Sequence, residues 1–333
     1  MSRTVSDNTS QSSGSVTAAA AGVSIVSSDP TLTEGLLWYN STSNVLKVAR
    51  NITAWSSGGN LNTGRHASVG SNGTQSACFV AGGQDSGGRS DSSETYDGSA
   101  WSAVGDIVGT SRVGTSNFGT TTAGVSATGL GTSPVNVTNE FNGTSWTDVS
   151  ATLIQAGSNA GGCGTQTAGL KIGAYADPTF YDETEHYDGT SWAAGGLISA
   201  NTAWAQGCGT QTSAIRGGGN VSGTPVNTGQ TYNGTSWSTV GSLSTARSDQ
   251  SAFGASDSDG NVNGGWNGSA YEASTEIWNG SSWAAGSNHL AIRGAMQGCG
   301  SSSSSGLAAG GHGSSNVTEE YSEVTTARTL SNS

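Results

Sequence analysis

The chain has 333 residues, room for two average domains, although all-β domains often spend more than about 200 residues on one. Its composition is unusual: 53 Gly, 4 Pro and only 10% charged residues, against about 25% in typical domains. The formal charge is -12 and the 11 basic residues are scattered singly, which excludes the Lys/Arg stripe that nucleic acid binding needs. No run approaches the roughly 18 apolar residues of a membrane span, so no membrane insertion is expected. The first residues lack the basic-then-apolar order of a secretory signal, so no export address is expected and synthesis is placed in the cytoplasm. Low charge and abundant Gly, Ser and Thr suggest low complexity, yet 10 Trp and 8 Tyr recur at regular spacing. Regularly spaced aromatics favour a packed, turn-rich β structure over disorder.

Residues 1–29 are rich in Ser, Thr and Ala without a period, and read as an extended arm that must lie on something else to be ordered. Residues 30–51 read as an anchoring segment. Within it, Gly35 to Ala49 forms an apolar run containing Leu37, Trp38 and Tyr39, an Asn/Ser/Thr turn, and an alternating run with Val45, Lys47 and Val48. That pattern predicts a β-hairpin. The segment also resembles short stretches common in bacteriophage tail-fibre and other virion proteins. The resemblance implies attachment to other virion proteins through residues 1–50.

From residue 52 onwards the chain repeats. Trp55, Trp101, Trp146, Trp192, Trp237 and Trp283 are separated by 46, 45, 46, 45 and 46 residues, the length of one four-stranded unit. Each interval holds a small-residue strand, a second strand, a polar loop, a third strand and a tight turn. The turns Asp97-Gly98, Asn142-Gly143, Asp188-Gly189, Asn233-Gly234 and Asn279-Gly280 are strong hairpin signals.

These units resemble kelch repeats. The corresponding pieces are Arg65, Arg112, Arg247 and Arg293; the pairs Gly82-Gly83, Gly217-Gly218, Gly264-Gly265 and Gly310-Gly311; and Glu94, Glu185, Glu276 and Glu319, each two residues before Tyr96, Tyr187, Trp278 or Tyr321. The third and fourth units lack the arginine, and the third has Gly173-Ala174 in place of the pair. The resemblance implies an all-β fold: a six-bladed kelch-type β-propeller over residues 52–323, with the arm and hairpin before it and a tail over 324–333. It also implies that the Trp-bearing strand is outermost. Because the last repeat ends at Tyr321 without a tryptophan, residues 52–57 are expected to supply its missing strand, leaving no open sheet edge.

Little in the sequence suggests chemistry. Cys163, Cys208 and Cys299 share one repeated context, in which Val69, Phe118 and Phe253 are read as the equivalents. A position that accepts Val, Phe or Cys is a buried apolar one, and Cys78 is likewise assigned no disulfide or metal. His66, His186, His289 and His312 are too far apart in sequence for a local metal motif. The run from Asp257 to Asn261 opens like a calcium loop but lacks its closing Glu, and reads as a turn. No cofactor and no catalytic residue is expected, and the chain is read as a non-enzyme. A copper oxidase of the galactose oxidase type is the remote alternative implied by the fold resemblance.

What remains is surface. Tyr175, Phe180 and Tyr181 in the third unit, and Trp266 and Tyr271 in the fifth, fall on variable loops held by a rigid scaffold, the usual makings of a binding site. Gly/Ser/Thr-rich kelch-like units joined to the hairpin also resemble virion proteins of phages that infect marine bacteria. The function expected is therefore a virion structural protein, exposed on the particle surface in multiple copies or as a homo-oligomer. It would serve host attachment or decoration through a surface glycan or protein. The alternative is a bacterial carbohydrate-binding adhesin.

Overall fold

A computed structural model describes residues 23–330, and every regular element in them is a β-strand. The first 22 residues of the arm lie outside the described residues. The chain divides into two compact bodies: residues up to 54 together with those from 323 on, and residues 55–322.

In the first body, Leu37–Asn40 pairs antiparallel with the start of Val45–Ser57, with Asn44 in the left-handed conformation of the turn (φ 55°). Part of the presumed arm is also structured, because Ser24–Val26 adds in parallel to Leu37–Asn40. Asp29 explains why. Its carboxylate accepts hydrogen bonds from Trp38 Nε1 (3.1 Å), Asn40 Nδ2 (2.8 Å) and Lys47 Nζ (2.7 Å). These three charge-assisted bonds hold its own pKa down. Residues 324–329, read as tail, instead continue the strand Thr318–Thr329. The hairpin strand is long enough to partner it, with Leu330 N–H donating to Leu46 O (2.9 Å) and Thr325 Oγ1 to Asn51 Oδ1 (2.7 Å).

The second body is a succession of antiparallel meanders. The second meander shows the pattern: Thr115–Thr120, Ala123–Ala127, Thr138–Phe141 and Trp146–Val149 pair in order. Meanders beginning at Gly161, Gly207 and Ser251 repeat it. In the sixth, Gln297–Ser302, Ser305–Ala309 and Thr318–Thr329 are followed in the sheet by the strand that carries Trp55. The Asn-Gly and Asp-Gly turns work as their chemistry requires. Each Asx side chain accepts the amides two and three residues on, as Asn233 does from Thr235 and Ser236, and the Gly takes φ near 90°.

Closure can be followed bond by bond. Ala67, Gly114, Asn159, Trp204, Asp249 and Ala295 occupy equivalent positions before the six inner strands, all with φ between 52° and 70°. Gly114 N–H donates to Ala67 O, Asn159 to Gly114, Trp204 to Asn159, Asp249 to Trp204 and Ala295 to Asp249. Ala67 donates to Ala295, so the cycle returns on itself. A β-propeller follows from this geometry: radial meanders around one axis, ringed by their own backbone. Across the axis, Gln206 Oε1 accepts from Gly70 N–H (2.9 Å) and Gln297 Nε2 donates to Gly70 O (2.8 Å), so amide side chains fill the centre.

Each meander also buries one cation against the third strand. Arg65 meets Glu94 (3.0 Å), Arg247 meets Glu276 (2.9 Å) and Arg293 lies 3.6 Å from Glu319, while Arg112 donates to Asn139. The third and fourth meanders, which lack the arginine at that place, supply the charge from the second strand instead. Lys171 pairs with Glu185 (3.1 Å) and Arg216 donates to Gln230 (2.9 Å). The unit-by-unit pattern hides this because the cation has moved from the segment before the first strand onto the second strand while its target has not.

Two further registers differ from the sequence reading. The residue equivalent to Phe118, Cys163, Cys208, Phe253 and Cys299 is Asn72, not Val69. Its neighbour Gly73 matches the positive-φ Gly119, Gly164, Gly209, Gly254 and Gly300. The buried Asn72 amide satisfies itself on the next strand, donating to Phe79 O (2.9 Å) and accepting from Phe79 N–H (3.2 Å). In the fourth meander the left-handed pair is Gly218-Gly219, not Gly217-Gly218. The pair exists for close approach: a Cβ on Gly264 would lie 2.6 Å from Arg293 O, and Gly265 N–H donates to that same carbonyl. All four cysteines are free and buried. Asp257 and Asp259 lie at the turn between Ser251–Ser256 and Asp259–Asn263. There they tie neighbouring meanders, Asp257 accepting from Ser213 Oγ (2.9 Å) and Asp259 from Ser303 N–H (3.2 Å).

Candidate functional site

Backbone bridges between the segments that enter the inner strands and those that follow the second strands put both sets on one face. His66 pairs Gln84, Ser158 pairs Tyr175, Ala203 pairs Asn220 and Ser248 pairs Trp266. That face surrounds the hydrogen-bonded ring. It also carries solvent-exposed aliphatics, including Ile154, Leu290 and Ile292, each more than 60% exposed.

The aromatic residues singled out in the sequence fall here, in two groups. Tyr175 and Phe180 are not on a loop. They face each other across an extended hairpin, Ala168–Ala176 with Thr179–Tyr187, at a centroid separation of 4.9 Å. Trp204 completes that group at 5.1 Å from Tyr175 and 5.9 Å from Phe180. Tyr181 is half-buried and has no ring partner among the described contacts; its carbonyl accepts from Thr202 N–H (3.0 Å). In the second group, Trp266 and Tyr271 meet edge to face at 5.1 Å, and Tyr271 lies 4.6 Å from His312, which is 6.2 Å from His66. Folding thus brings together two histidines that sequence spacing kept apart. Among the described residues, no group of three or more His, Cys, Asp or Glu side chains is placed to hold a metal.

Trp204, Asp249 and His312 were not anticipated. Trp204 was readable, because it breaks a series of otherwise small or polar residues at equivalent positions: Ala67, Gly114, Asn159, Asp249 and Ala295. Gly, Asn and Asp tolerate left-handed φ, whereas a bulky residue such as Trp is an outlier there. Such strain is a reason to look for function.

The groups are linked through the ring. Asp249 N–H donates to Trp204 O (3.2 Å), and Trp266 N–H donates to Ser248 O (2.7 Å). A Cβ on Gly294 would lie 2.6 Å from the Tyr271 ring, so Tyr271 rests beside Ala295, the next ring member after Asp249. Burial pushes the Asp249 carboxyl up to about 6, against a Ser248 hydrogen bond that lowers it. Burial, then the Asp249 charge, raises the Tyr271 phenol. Burial, then the charge of His312, lowers His66. The result is a carboxylate set among aromatic planes, equipped to stack on a ligand face and to receive a positive charge.

The opposite mouth is chemically different. Its cavity of about 410 Å³ is lined by the six turn glycines with Ser, Thr, Ala and Asn, including Thr74, Thr120 and Thr165.

No protein-family model matches the chain, and no curated protein matches it. Among solved structures, one titled "Structure of YjhT" is similar with a TM-score of 0.67. The match covers 81% of this chain and 100% of that one at 12% identity. At that identity the likeness shows the β-propeller fold alone.

Proposed function

We propose that this chain is a non-enzymatic structural protein of a bacteriophage particle, whose propeller, read as a closed ring of six kelch-type blades, is displayed for host attachment. The observation that carries the reading is the convergence of Tyr175, Phe180, Trp204, Trp266 and Tyr271 on one face of a rigid scaffold. Aromatic anchors on a preorganised frame bind at low entropic cost. The hairpin locked by Asp29, with its resemblance to tail-fibre segments, supports attachment to other virion proteins through residues 1–50. Multiple copies on a particle would add avidity to a weak single site.

Mass spectrometry of purified particles tests the location: peptides of this chain are expected at stoichiometric level. A chain lacking residues 1–50 should keep its β circular-dichroism signature and fail to join particles; normal incorporation overturns the attachment role. The two aromatic platforms also favour a second reading, a carbohydrate-binding adhesin outside any particle. On a glycan array that reading expects binding that Trp266→Ala and Tyr271→Ala abolish.

A further inference from the structure

We infer that the axial mouth ringed by Trp204, Asp249, Tyr271 and His312 is a binding site for an organic ammonium group. This rests on the reading of that face as the ligand-contacting one, and names the chemistry of its ligand.

Three independent features meet at Asp249. Its backbone belongs to the hydrogen-bonded ring, so its position is fixed from both sides, by Trp204 O (3.2 Å) and Ala295 N (2.6 Å). Its neighbours are aromatic: Trp204 precedes it in the ring, and Tyr271 packs over Gly294 beside the ring member that follows. Its charge has no counterpart. Four third-strand acids, Glu94, Glu185, Glu276 and Glu319, face a buried cation, whereas burial and the Ser248 hydroxyl are what act on Asp249. Among the described residues, no lysine or arginine bonds to its carboxylate.

A half-buried carboxylate without a cation is incompletely solvated and is stabilised when something else supplies the charge. An ammonium ligand would supply it, and indole and phenol faces attract the same cation through their quadrupoles. The formal charge of -12 adds long-range attraction for cations. Trp204 at φ 52° fits this account, since strain is retained where the side chain is needed in that place.

The test uses the full-length protein and two-dimensional NMR of the tryptophan indoles, with the Trp204 signal assigned from Trp204→Phe. The probes are tetramethylammonium and glucosamine, with glucose as the neutral control. The two cations separate a quaternary amine from an amino sugar as the source of the charge. Saturable shifts at Trp204 are expected with at least one cation and none with glucose. Asp249→Asn, which the ring already accepts as Asn159, should raise Kd roughly tenfold or more while leaving the fold intact. Equal response to glucose and glucosamine, an unchanged Kd in Asp249→Asn, or no cation response at all overturns the assignment. If neutral glycans bind through Trp266 and the cations give no response of their own, this face still contacts a ligand and the cation assignment alone falls. If the cation binds through Asp249 but particles lack the protein, the site stands and the virion reading falls.

Discussion

At the scale of residues, the molecule holds two kinds of charge, one buried and paired and one half-buried and unpaired, that respond oppositely to perturbation. Arg247 and Glu276 satisfy one another at 2.9 Å, and Arg247 also donates to the carbonyls of Gly264 and Ser274. Arg247→Met leaves Glu276 buried without its cation and should cost about 3–5 kcal/mol by urea denaturation. Adding Glu276→Gln should recover part of that loss; strictly additive costs would show that the two do not act as a pair. Asp249 is the contrary case. Its folded pKa of about 6 lies above the ordinary carboxyl value, so the native state binds more protons between pH 4 and 6. Stability contributed at this group therefore rises as pH falls through 6 and is lowest above it. Asp249→Asn should be more stable than the parent by roughly 1–2 kcal/mol at pH 7, with the advantage gone near pH 4. Thermal unfolding across that range checks the sign, and a gain that grows on acidification refutes it. Neither residue could be ranked from the sequence. The acid before the aromatic was visible there, but its partner precedes the first strand in some meanders and sits on the second in others. Asp249 is one more polar residue until the ring closes around it.

At the scale of elements, the repeated tryptophan is a latch between neighbouring meanders. Trp192 Nε1 donates to Thr138 Oγ1, Trp237 to Thr184, Trp55 to Thr275 and Trp101 to Thr318, at 2.9 to 3.0 Å. In the one equivalent place held by serine, the latch is open: Trp146 Nε1 and Ser93 Oγ are both buried without a partner. The β-branched threonine has the stiffer χ1 and the strand preference that hold its hydroxyl in place. Ser93→Thr is accordingly expected to stabilise by about 1 kcal/mol in a denaturant titration, the worth of one buried hydrogen bond. No gain would mean that the serine hydroxyl already serves as well. Trp55 is the most heavily engaged of the series. It stacks on His289 at 3.8 Å and contacts Phe253 and Tyr321 besides bonding Thr275. Trp55→Ala should cost about 3–5 kcal/mol, and more than Trp146→Ala, which loses no hydrogen bond. The spacing of these tryptophans and the Asx-Gly turns made the strands legible, since both are local signals. The register of the inner strands was less so. Asn72 replaces an apolar residue there and bonds Phe79 through its side chain, so the nearest apolar residue in the sequence, Val69, is not its equivalent.

At the scale of the whole molecule, a ring has no terminal blade only if its two chain ends share one. The sequence carries that signal as a count, six tryptophans of which the first precedes any complete unit, whereas the aromatic face carries no such count. Tyr175, Phe180, Trp266 and Tyr271 stood out as aromatics, but their gathering with Trp204 and Asp249 depends on neighbouring meanders meeting around the ring. Closure makes a sharper prediction than repetition does. Compare a chain that begins at residue 53 with one that begins at residue 59. Both lack the hairpin body, so both leave the strand beyond residue 322 without its partner, and that loss cancels between them. They differ in the segment that holds Trp55, Ser56 Oγ on Glu320 O, and Gly58 N–H on Thr318 O. Without it the third strand of the sixth meander becomes a free edge, and free edges pair with other chains. The shorter chain loses the Trp55 latch and its packing, about 3–5 kcal/mol, which at roughly 2–4 °C per kcal/mol for a domain of this class lowers Tm by roughly 6–20 °C. Calorimetry should show that drop, and light scattering should show self-association of the shorter chain alone. Equal Tm values would mean that the ring closes through the backbone cycle from Ala67 to Ala295 without help from its outer strand.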